Sequence, residues 1–315
     1  MTFSQRVKDE LLNINDEQFY KVELIAILKC LGTIECSNNS AKITINITQL
    51  KLVKHLLLIL KKLYPDTKHD SMISTKRNFS TKRKTYRIVI YDDVMTILTD
   101  LGLVNDPNRS IILLNPVNID QLNEFEQRVY VRMCFCCVGS VNTPQKEQQY
   151  HLEMVVNDQN QQQLLIDIAK QYNINLKVTT RKYSQSLYLN KSEEIGDFLN
   201  LIGCKETLFD FEDERILRDL YLNANRVNNA EIANESKSIN ASQKQIQAIN
   251  IIKQNNLFDD LGKKTKKVAN LRLENPDVTL NQLAELSDGE FSKSNVSYHL
   301  KSIVKLAQTI DNQEE

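Results

Sequence analysis

A run of short polar and basic side chains near the C-terminus has the residue types needed to recognise DNA. Asparagine amides read adenine bidentately, and serine hydroxyls and lysine ammonium groups bond to base edges or phosphate oxygens. Apolar residues recur on the same segment at Val296, Leu300 and Ile303, so one helix face is predicted to be buried and the other free. The residues that we predict to contact DNA from this recognition helix, over 294–307, are Ser292, Lys293, Ser294, Asn295, Ser297, Tyr298 and Lys301.

Three predicted helices precede the recognition helix and must hold it in place. They cover 243–254, 263–273 and 280–286. The second ends at Asn275-Pro276, because proline cannot continue a helix, and Thr279 with Gln282 three residues later forms a capping box for the third. Asp288-Gly289 supplies a turn before the recognition helix, whose N-cap is Ser292 or Ser294. The third and fourth helices therefore have the order of a helix-turn-helix.

Basic residues are concentrated in acid-free runs, although the chain is neutral overall, with 40 Lys and Arg residues against 40 Asp and Glu. Local basic stripes attract phosphate even on a neutral protein, whereas any single run is explained equally well as a solvated charged face. The run over 263–272 contains four lysines and Arg272, and the run over 76–87 contains six basic residues. The further phosphate contacts that we predict are Arg226, Lys263, Lys264, Lys266, Lys267, Lys76, Arg77, Lys82, Arg83, Lys84 and Arg87.

The first two thirds of the chain contain an internal duplication. A segment interpreted as helical over 24–34 recurs over 131–141, and its glycines, Gly32 and Gly139, lie 107 residues apart. Each copy is followed by a strand, a helix, two strands and a helix, which predicts halves at about 1–107 and 108–208. The predicted strands are 43–48, 72–77 and 85–91 in the first half, and 150–156, 176–180 and 186–189 in the second. A further strand in each half could be hidden near 36–40 and 142–149, where the pattern is weak.

Both copies resemble the LAGLIDADG helix of homing endonucleases. The resemblance implies two helices packed side by side at a pseudo-two-fold axis, with a saddle-shaped sheet from each half. Nucleases of that family carry an acidic residue immediately before each glycine, and the two carboxylates hold the divalent metal. Here those positions are Leu31 and Val138, whose side chains offer no oxygen to a hard cation. The nearest acid, Glu35, has Asn142 as its counterpart, so we predict no metal, no cofactor and no nuclease activity.

The remaining features bound the class of protein. No apolar run approaches the roughly 20 residues of a membrane span, and the first ten residues have no apolar signal region, so we expect a cytoplasmic, nucleoid-associated protein. The six cysteines lack zinc-knuckle spacing and are predicted to be buried, reduced thiols. Residues 223–242 are rich in Asn, Ser and Ala and are predicted to be a hinge or connecting helix. The expected domains are therefore 1–222, and 223–315 with the linker and the helix-turn-helix.

Nearly the whole chain is similar to the WhiA family of bacterial regulators. Besides the two repeats, the similarity rests on 209–213, on 225–228, and on 280–286 together with 292–296; the family often has glycine at the position of Asn295. The resemblance implies an α+β fold, with a duplicated LAGLIDADG-like αβ domain followed by an all-α helix-turn-helix domain. It also implies a transcription factor that acts in cell division and chromosome segregation, and in sporulation where the organism sporulates.

Three functions follow from these patterns. The preferred one is a sequence-specific, double-stranded DNA-binding regulator, which could also bind another transcription factor or division protein through its N-terminal domain. An active homing endonuclease is the enzyme alternative, and a nucleoid-associated protein of low specificity is the third. No membrane and no small-molecule substrate is expected for any of them.

Overall fold

The computed structural model describes residues 1–37, 40–78, 81–104, 114–143, 149–181 and 184–314. The chain divides into two compact units, Met1–Arg218 and Asp219–Glu315. The first unit contains both sheets, and the second is helical, so the predicted α+β class is confirmed. Within the described residues, no helix combines the length and the apolar character needed to cross a membrane.

The first half of the first unit is a four-stranded antiparallel sheet covered by helices. Its elements are α1 (Phe3–Leu11), α2 (Tyr20–Leu31), β1 (Gly32–Ser37), β2 (Ser40–Ile47), α3 (Leu50–Leu63), β3 (His69–Asn78), β4 (Thr81–Ile90) and α4 (Val94–Asp100). The strand order is β1-β2-β4-β3. Ile43, Ile45 and Ile47 are buried at every second position of β2, which fixes the face that packs on the helices.

The second half repeats this architecture. Its elements are α5 (Glu124–Val138), β5 (Gly139–Val141), β6 (Leu152–Val155), α6 (Gln159–Gln171), β7 (Lys177–Arg181), β8 (Ser184–Leu189) and α7 (Ser192–Ile202). The strand order, β5-β6-β8-β7, is the same as in the first half. Leu152, Met154, Leu187 and Leu189 are buried, again with a period of two. α2 and α5 pack directly against each other, as the duplication predicts.

The sequence patterns left the first strand of each half open and extended the helix before it too far. β1 and β5 begin at Gly32 and Gly139, so the repeated segments are helical only as far as Leu31 and Val138. The hidden strands therefore come directly after the helices, and only the end of β1 overlaps the predicted stretch near 36–40. The error has a physical cause: an apolar residue follows each glycine closely, which continues the helical pattern although the backbone has already become extended.

The second unit is built from four helices. They are α8 (Glu206–Gln254), which starts in the first unit, and α9 (Lys263–Glu274), α10 (Leu280–Glu285) and α11 (Lys293–Glu314). The core of this unit includes Ile249, Ile252, Val268, Leu283 and Leu300. The predicted separate helix over 243–254 is wrong, because it is the end of the continuous 49-residue α8. Residues 206–254 contain neither proline nor glycine, so the Asn- and Ser-rich stretch lowers helix propensity without ending the helix.

Glu10 caps the start of α8. Its carboxylate accepts backbone hydrogen bonds from Lys205 at 2.6 Å, Glu206 at 3.0 Å and Thr207 at 2.9 Å, and a further bond from the Thr207 hydroxyl. These are free N–H groups of a helix N-terminus, which need an acceptor. Burial acts to raise the pKa of Glu10, but the hydrogen bonds from Thr207, Lys205 and Glu206 outweigh it, so the pKa is lowered. The ionised carboxylate therefore stabilises the folded chain.

Replacing Glu10 by alanine is expected to lower the free energy of unfolding by about 0.5–2 kcal/mol at pH 7, the usual cost of losing an N-cap. A lowered folded-state pKa means that this contribution is fully present above the unfolded-state pKa, about 4.3, and disappears as the pH falls through the folded-state pKa. Urea unfolding of the wild type and of Glu10→Ala between pH 7 and pH 3 measures how the difference between their free energies of unfolding decreases. The control is Glu214→Ala, which changes an exposed α8 carboxylate. A difference that stays constant down to pH 3 would contradict the assignment.

Candidate nucleic-acid interface

The predicted recognition helix, α11, presents its polar N-terminal face to solvent. Ser292 is its N-cap, since the Ser292 Oγ accepts a hydrogen bond from the Asn295 backbone N–H at 3.3 Å. Val296, Leu300 and Ile303 are buried on the opposite face. The candidate residues with exposed side chains are Ser292, Lys293, Ser294, Asn295, Tyr298 and Lys301, and Ser297 is half-buried. The structure thus places all seven in the N-terminal half of the helix or at its cap, outside the buried stripe.

The orientation of α11 is fixed by aromatic and polar contacts to the rest of the second unit. The His299 ring packs edge-on against Phe291, with 5.9 Å between centroids, and its Nδ1 lies 3.0 Å from the Thr265 hydroxyl on α9. The His299 ring also contacts the ring of Tyr298, with 5.5 Å between centroids. Tyr298 is nevertheless 71% exposed. A large aromatic side chain is therefore held outside the core, among the candidate residues.

The connection between α9 and α10 is held by a buried arginine. Arg272 is 2% exposed, and its guanidinium donates hydrogen bonds to the carbonyl oxygens of Val278 at 2.7 Å and Asn275 at 3.4 Å. Burial lowers the pKa of Arg272. Thr279 and Gln282 form the predicted capping box at the start of α10. Counting Arg272 within the basic surface run was wrong: it holds the turn between the helices and does not face solvent.

The α9 lysines divide into two pairs. Lys263 and Lys264 are exposed, and neither forms an ion pair among the residues that the structure describes. Lys266 is paired with Asp259 at 3.1 Å, and Lys267 with Glu290. Glu290 immediately precedes the segment that caps α11, so the Lys267 pair links α9 to the start of the recognition helix. The first two lysines are free to neutralise phosphate, whereas the last two must exchange a carboxylate for it.

Arg226 lies on α8 with an exposed side chain. Its guanidinium donates a 3.4 Å hydrogen bond to the side-chain oxygen of Asn223, a neutral partner one helical turn earlier. No carboxylate neutralises it among the described residues.

The six basic residues of the run over 76–87 lie on the β3–β4 hairpin. In the strand register, Lys76 is opposite Arg83 and Arg77 is opposite Lys82, and the side chains of these four lie outside the described residues. Lys84 is exposed. Arg87 is also exposed, and its Nε donates to Asn46 on β2 at 3.4 Å. The pairing of β3 with β4 thus brings together the two basic stretches of this run, which the sequence separates.

The outward faces of the two sheets carry both signs of charge. On the first sheet, Lys42 is paired with Glu35 at 2.8 Å. On the second, Arg181 is paired with Glu153 at 3.0 Å, and the His151 Nε2 lies 3.5 Å from the same carboxyl group. Each described face therefore contains a carboxylate that reduces its attraction for phosphate. The acid-free basic run of this unit, over 76–87, lies on β3 and β4 instead.

The positions where a LAGLIDADG nuclease would bind metal do not suit a cation. Leu31 and Val138 are half-buried at the ends of α2 and α5 and pack against the core. The Glu35 carboxylate forms an ion pair with Lys42. The Asn142 side chain bonds to the backbone, since it accepts a hydrogen bond from the His151 N–H at 2.8 Å and donates one to the Gln149 carbonyl at 3.1 Å. Across the described chain, no group of three or more His, Cys, Asp or Glu residues could hold a metal ion. The residues present do not fit a two-metal site.

A polar contact at the α2–α5 interface was missed by the sequence patterns. The Gln161 amide donates to Cys30 Sγ at 3.2 Å, to the Tyr130 hydroxyl at 3.4 Å and to Cys134 Sγ at 3.6 Å. All the cysteines with described side chains are free thiols; three of them are buried, whereas Cys30 and Cys137 are half-buried, which corrects the prediction for those two. Burial raises the pKa of Cys136 to about 12. The side chain of Cys36 lies outside the described residues.

Family models match three successive segments of the chain. Residues 17–104 match the WhiA N-terminal LAGLIDADG-like domain, 127–221 the WhiA LAGLIDADG-like domain, and 224–307 the WhiA C-terminal HTH domain. The chain is 31% identical to a protein of Lysinibacillus sphaericus, over 98% of both chains. It is 33% identical to one of Clostridium acetobutylicum, again over 98% of both. Both relatives are named probable cell division protein WhiA.

A solved structure shows the same fold over the full length. The full-length WhiA protein of Thermatoga maritima is 22% identical, matches 98% of this chain and 99% of its own, and superposes with a TM-score of 0.57. A structure of an N-terminal LAGLIDADG domain of WhiA is 20% identical and covers 68% of this chain, with a TM-score of 0.50. The duplicated LAGLIDADG-like domain followed by a helical C-terminal region is therefore confirmed as the architecture.

Proposed function

The chain belongs to the WhiA family, and from that premise we propose that it is a sequence-specific DNA-binding transcriptional regulator without nuclease activity. It acts in cell division and chromosome segregation, and in sporulation where the organism forms spores. The observation that carries the proposal is the exposed polar end of α11, fixed to the core of a domain that matches the family's HTH model. The proposed domains are 1–222 and 223–315.

The base contacts come from the first two turns of α11. Ser294, Asn295, Ser297 and Tyr298 lie on the side of the helix that would enter the major groove. Short hydroxyl and amide groups reach base edges there without long, flexible stems. Tyr298, held against His299 but exposed, supplies an aromatic face and a hydroxyl. The bound molecule is double-stranded DNA, because only a duplex presents a groove for the helix.

The phosphate contacts flank this helix. Lys293 and Lys301 lie beside the base-reading residues. Lys263 and Lys264, which no carboxylate of the described residues pairs, add positive charge at the start of α9. Lys266 and Lys267 join them if phosphate displaces Asp259 and Glu290. Arg226 adds a further contact from α8. Such contacts set affinity and register, whereas the α11 side chains supply the sequence preference.

The absence of nuclease activity follows from Leu31 and Val138. Hydrolysis by the metal-dependent route requires oxygen ligands at these two positions, and aliphatic side chains supply none. The alternative of an active homing endonuclease is tested by incubating the full chain and bound DNA with Mg²⁺. We expect the DNA to be recovered intact, and a metal-dependent double-strand break would refute this part of the proposal.

Recovery and sequencing of the genomic fragments that the full chain retains tests the proposed function most broadly. A sequence-specific regulator is expected to enrich a small set of fragments that share a short motif upstream of genes. A nucleoid-associated protein of low specificity would retain fragments in proportion to their abundance. The same experiment with the segment 1–222 alone would show whether the motif depends on the helix-turn-helix domain.

Replacing Lys82, Arg83, Lys84 and Arg87 together by alanine tests whether the N-terminal domain contacts DNA. If these residues touch phosphate, the slope of log affinity against log salt is expected to flatten by about 0.9 for each phosphate that is no longer neutralised. Fluorescence anisotropy across a salt series measures the slope. The matched control replaces Lys54 and Lys61, two exposed lysines on α3. An unchanged slope would contradict the hairpin contacts and leave this domain to bind a protein partner, which we propose to be another transcription factor or a division protein.

A further inference from the structure

A groove with a volume of about 590 Å³ lies between the N-terminal ends of α2 and α5, and we name it the axial groove. The residues that line it are Asp16, Gln18, Phe19, Asn123, Glu124 and Phe125. Asn123 follows Asp16 by 107 residues, the separation of Gly32 and Gly139. The groove therefore lies where the two halves of the duplication meet. α2 has 12 residues, so about 18 Å of helix separates the groove from Leu31 and Gly32.

The apolar part of the axial groove is formed by two phenylalanine rings. Phe19 is half-buried and packs against the core, whereas Phe125 is 67% exposed in the first turn of α5. A single exposed apolar side chain is ordinary on a protein surface. Here the exposed ring forms one wall of a concavity whose size suits a bound side chain or short segment. The two rings therefore provide an apolar surface inside the groove that no other part of the described chain covers.

The rim of the axial groove retains negative charge. Asp16 accepts from the Gln18 amide at 2.8 Å and Glu124 from the Tyr172 hydroxyl at 3.3 Å, both neutral donors. Neither carboxylate forms an ion pair among the described residues. Their neighbours differ: Glu17 is paired with Lys62 at 2.7 Å, and Glu126 accepts from the Asn123 N–H at 2.9 Å within a capping box. Two rim carboxylates are therefore free to meet a cation.

We propose that the axial groove binds a basic segment of a protein partner, with an apolar side chain between Phe19 and Phe125 and arginine or lysine on Asp16 and Glu124. Arginine suits both parts of the site, because its planar guanidinium pairs with carboxylates and stacks on aromatic rings. Nucleic acid is repelled by the same carboxylates. This proposal rests on the protein-binding part of the proposed function and locates that partner, while the DNA contacts of α11 do not depend on it.

The test uses fluorescein-labelled, 14-residue helical peptides and the full chain, without DNA. One peptide has leucine on one face and arginine on the other, and its partner has glutamate in place of every arginine. We expect the arginine peptide to bind at least about tenfold more tightly, and Phe125→Ala to weaken it at least about tenfold, as for an interface anchor. The double variant Asp16→Asn, Glu124→Gln should also weaken binding and remove most of its salt dependence.

The control is Phe209→Ala, which removes another exposed ring, 74% exposed on α8 and outside the groove. Equal binding by wild type and Phe125→Ala, or by the two peptides, would overturn the proposal. So would a dimer, seen by sedimentation, that Phe125→Ala abolishes, since the occupant would then be a second copy of the chain. Affinity for genomic DNA, measured in parallel, is expected to be unchanged in all variants. If the wild-type chain bound the arginine peptide but showed no sequence-specific DNA binding, the proposed regulator would be contradicted and the axial groove would not.

Discussion

Replacing Asn295 by alanine is expected to weaken binding of the full chain to its target site about 5- to 150-fold, with little effect on unrelated DNA. The range corresponds to the roughly 1–3 kcal/mol that one bidentate base contact contributes to discrimination. The amide is exposed at the start of α11, while its own backbone N–H is already bonded to Ser292, so alanine should preserve the helix.

The matched comparison for Asn295 is Lys301→Ala. Lys301 is exposed on the same helix, and its removal should weaken binding to specific and unrelated DNA by the same factor and reduce the salt slope by about 0.9. Anisotropy titrations on both DNAs distinguish the two patterns, and circular dichroism checks the helix content. If Asn295→Ala weakened both DNAs equally, Asn295 would be a phosphate contact and the assignment of bases to this end of α11 would be wrong.

The second large effect is expected at the glycine that ends α5. Gly139→Ala should lower the free energy of unfolding by about 1–3 kcal/mol, the usual cost of overpacking a core. An added Cβ would lie 2.3 Å from the Phe135 Cδ2 and 2.7 Å from the Phe135 carbonyl oxygen. Phe135 is fully buried and packs on Phe198, with 5.9 Å between ring centroids. Moving its ring away from the added Cβ would therefore disrupt the packing of the core. At Gly32 the corresponding Cβ would lie 2.5 Å from the Leu28 carbonyl oxygen.

Gly262→Ala is the control for this prediction. A Cβ at Gly262 would meet nothing within 4 Å, and the residue has negative φ, so alanine is expected to change stability by less than about 1 kcal/mol. Urea unfolding followed by fluorescence and circular dichroism measures all three proteins. Equal stability of Gly139→Ala and Gly262→Ala would show that the helix-to-strand transition tolerates a side chain. The glycine repeated in the two halves would then reflect only their common origin by duplication and no structural requirement.

The duplicated architecture was predictable because its signal is redundant. The two halves present the same element order at the same spacing. In β2 and β8 one face of the strand is buried, and this alone produces the alternation of apolar residues that the sequence shows. The recognition helix was predictable for a similar reason: Val296, Leu300 and Ile303 define its buried side, and the exposed side follows by exclusion. Ser292 was one of two candidate caps, and the hydrogen bond from the Asn295 N–H distinguishes it from Ser294.

Features that depend on tertiary contacts were not predictable. Arg272 belongs to a basic run in sequence, and its burial becomes visible only when the carbonyls of Asn275 and Val278 are brought to it. The pairing of Lys266 with Asp259 and of Lys267 with Glu290 likewise depends on how α9 packs. The axial groove joins residues about a hundred positions apart. β5, with three residues, is too short to show any alternation.

Competition binding tests most directly whether this chain recognises a DNA sequence. A labelled fragment enriched from the genome is titrated with the full chain at about 0.15 M salt and then competed with unlabelled copies of itself or with unrelated DNA. We predict that the unrelated DNA competes at least about 10³-fold less well. Competition by the two DNAs within a factor of about ten would contradict sequence-specific recognition by this chain.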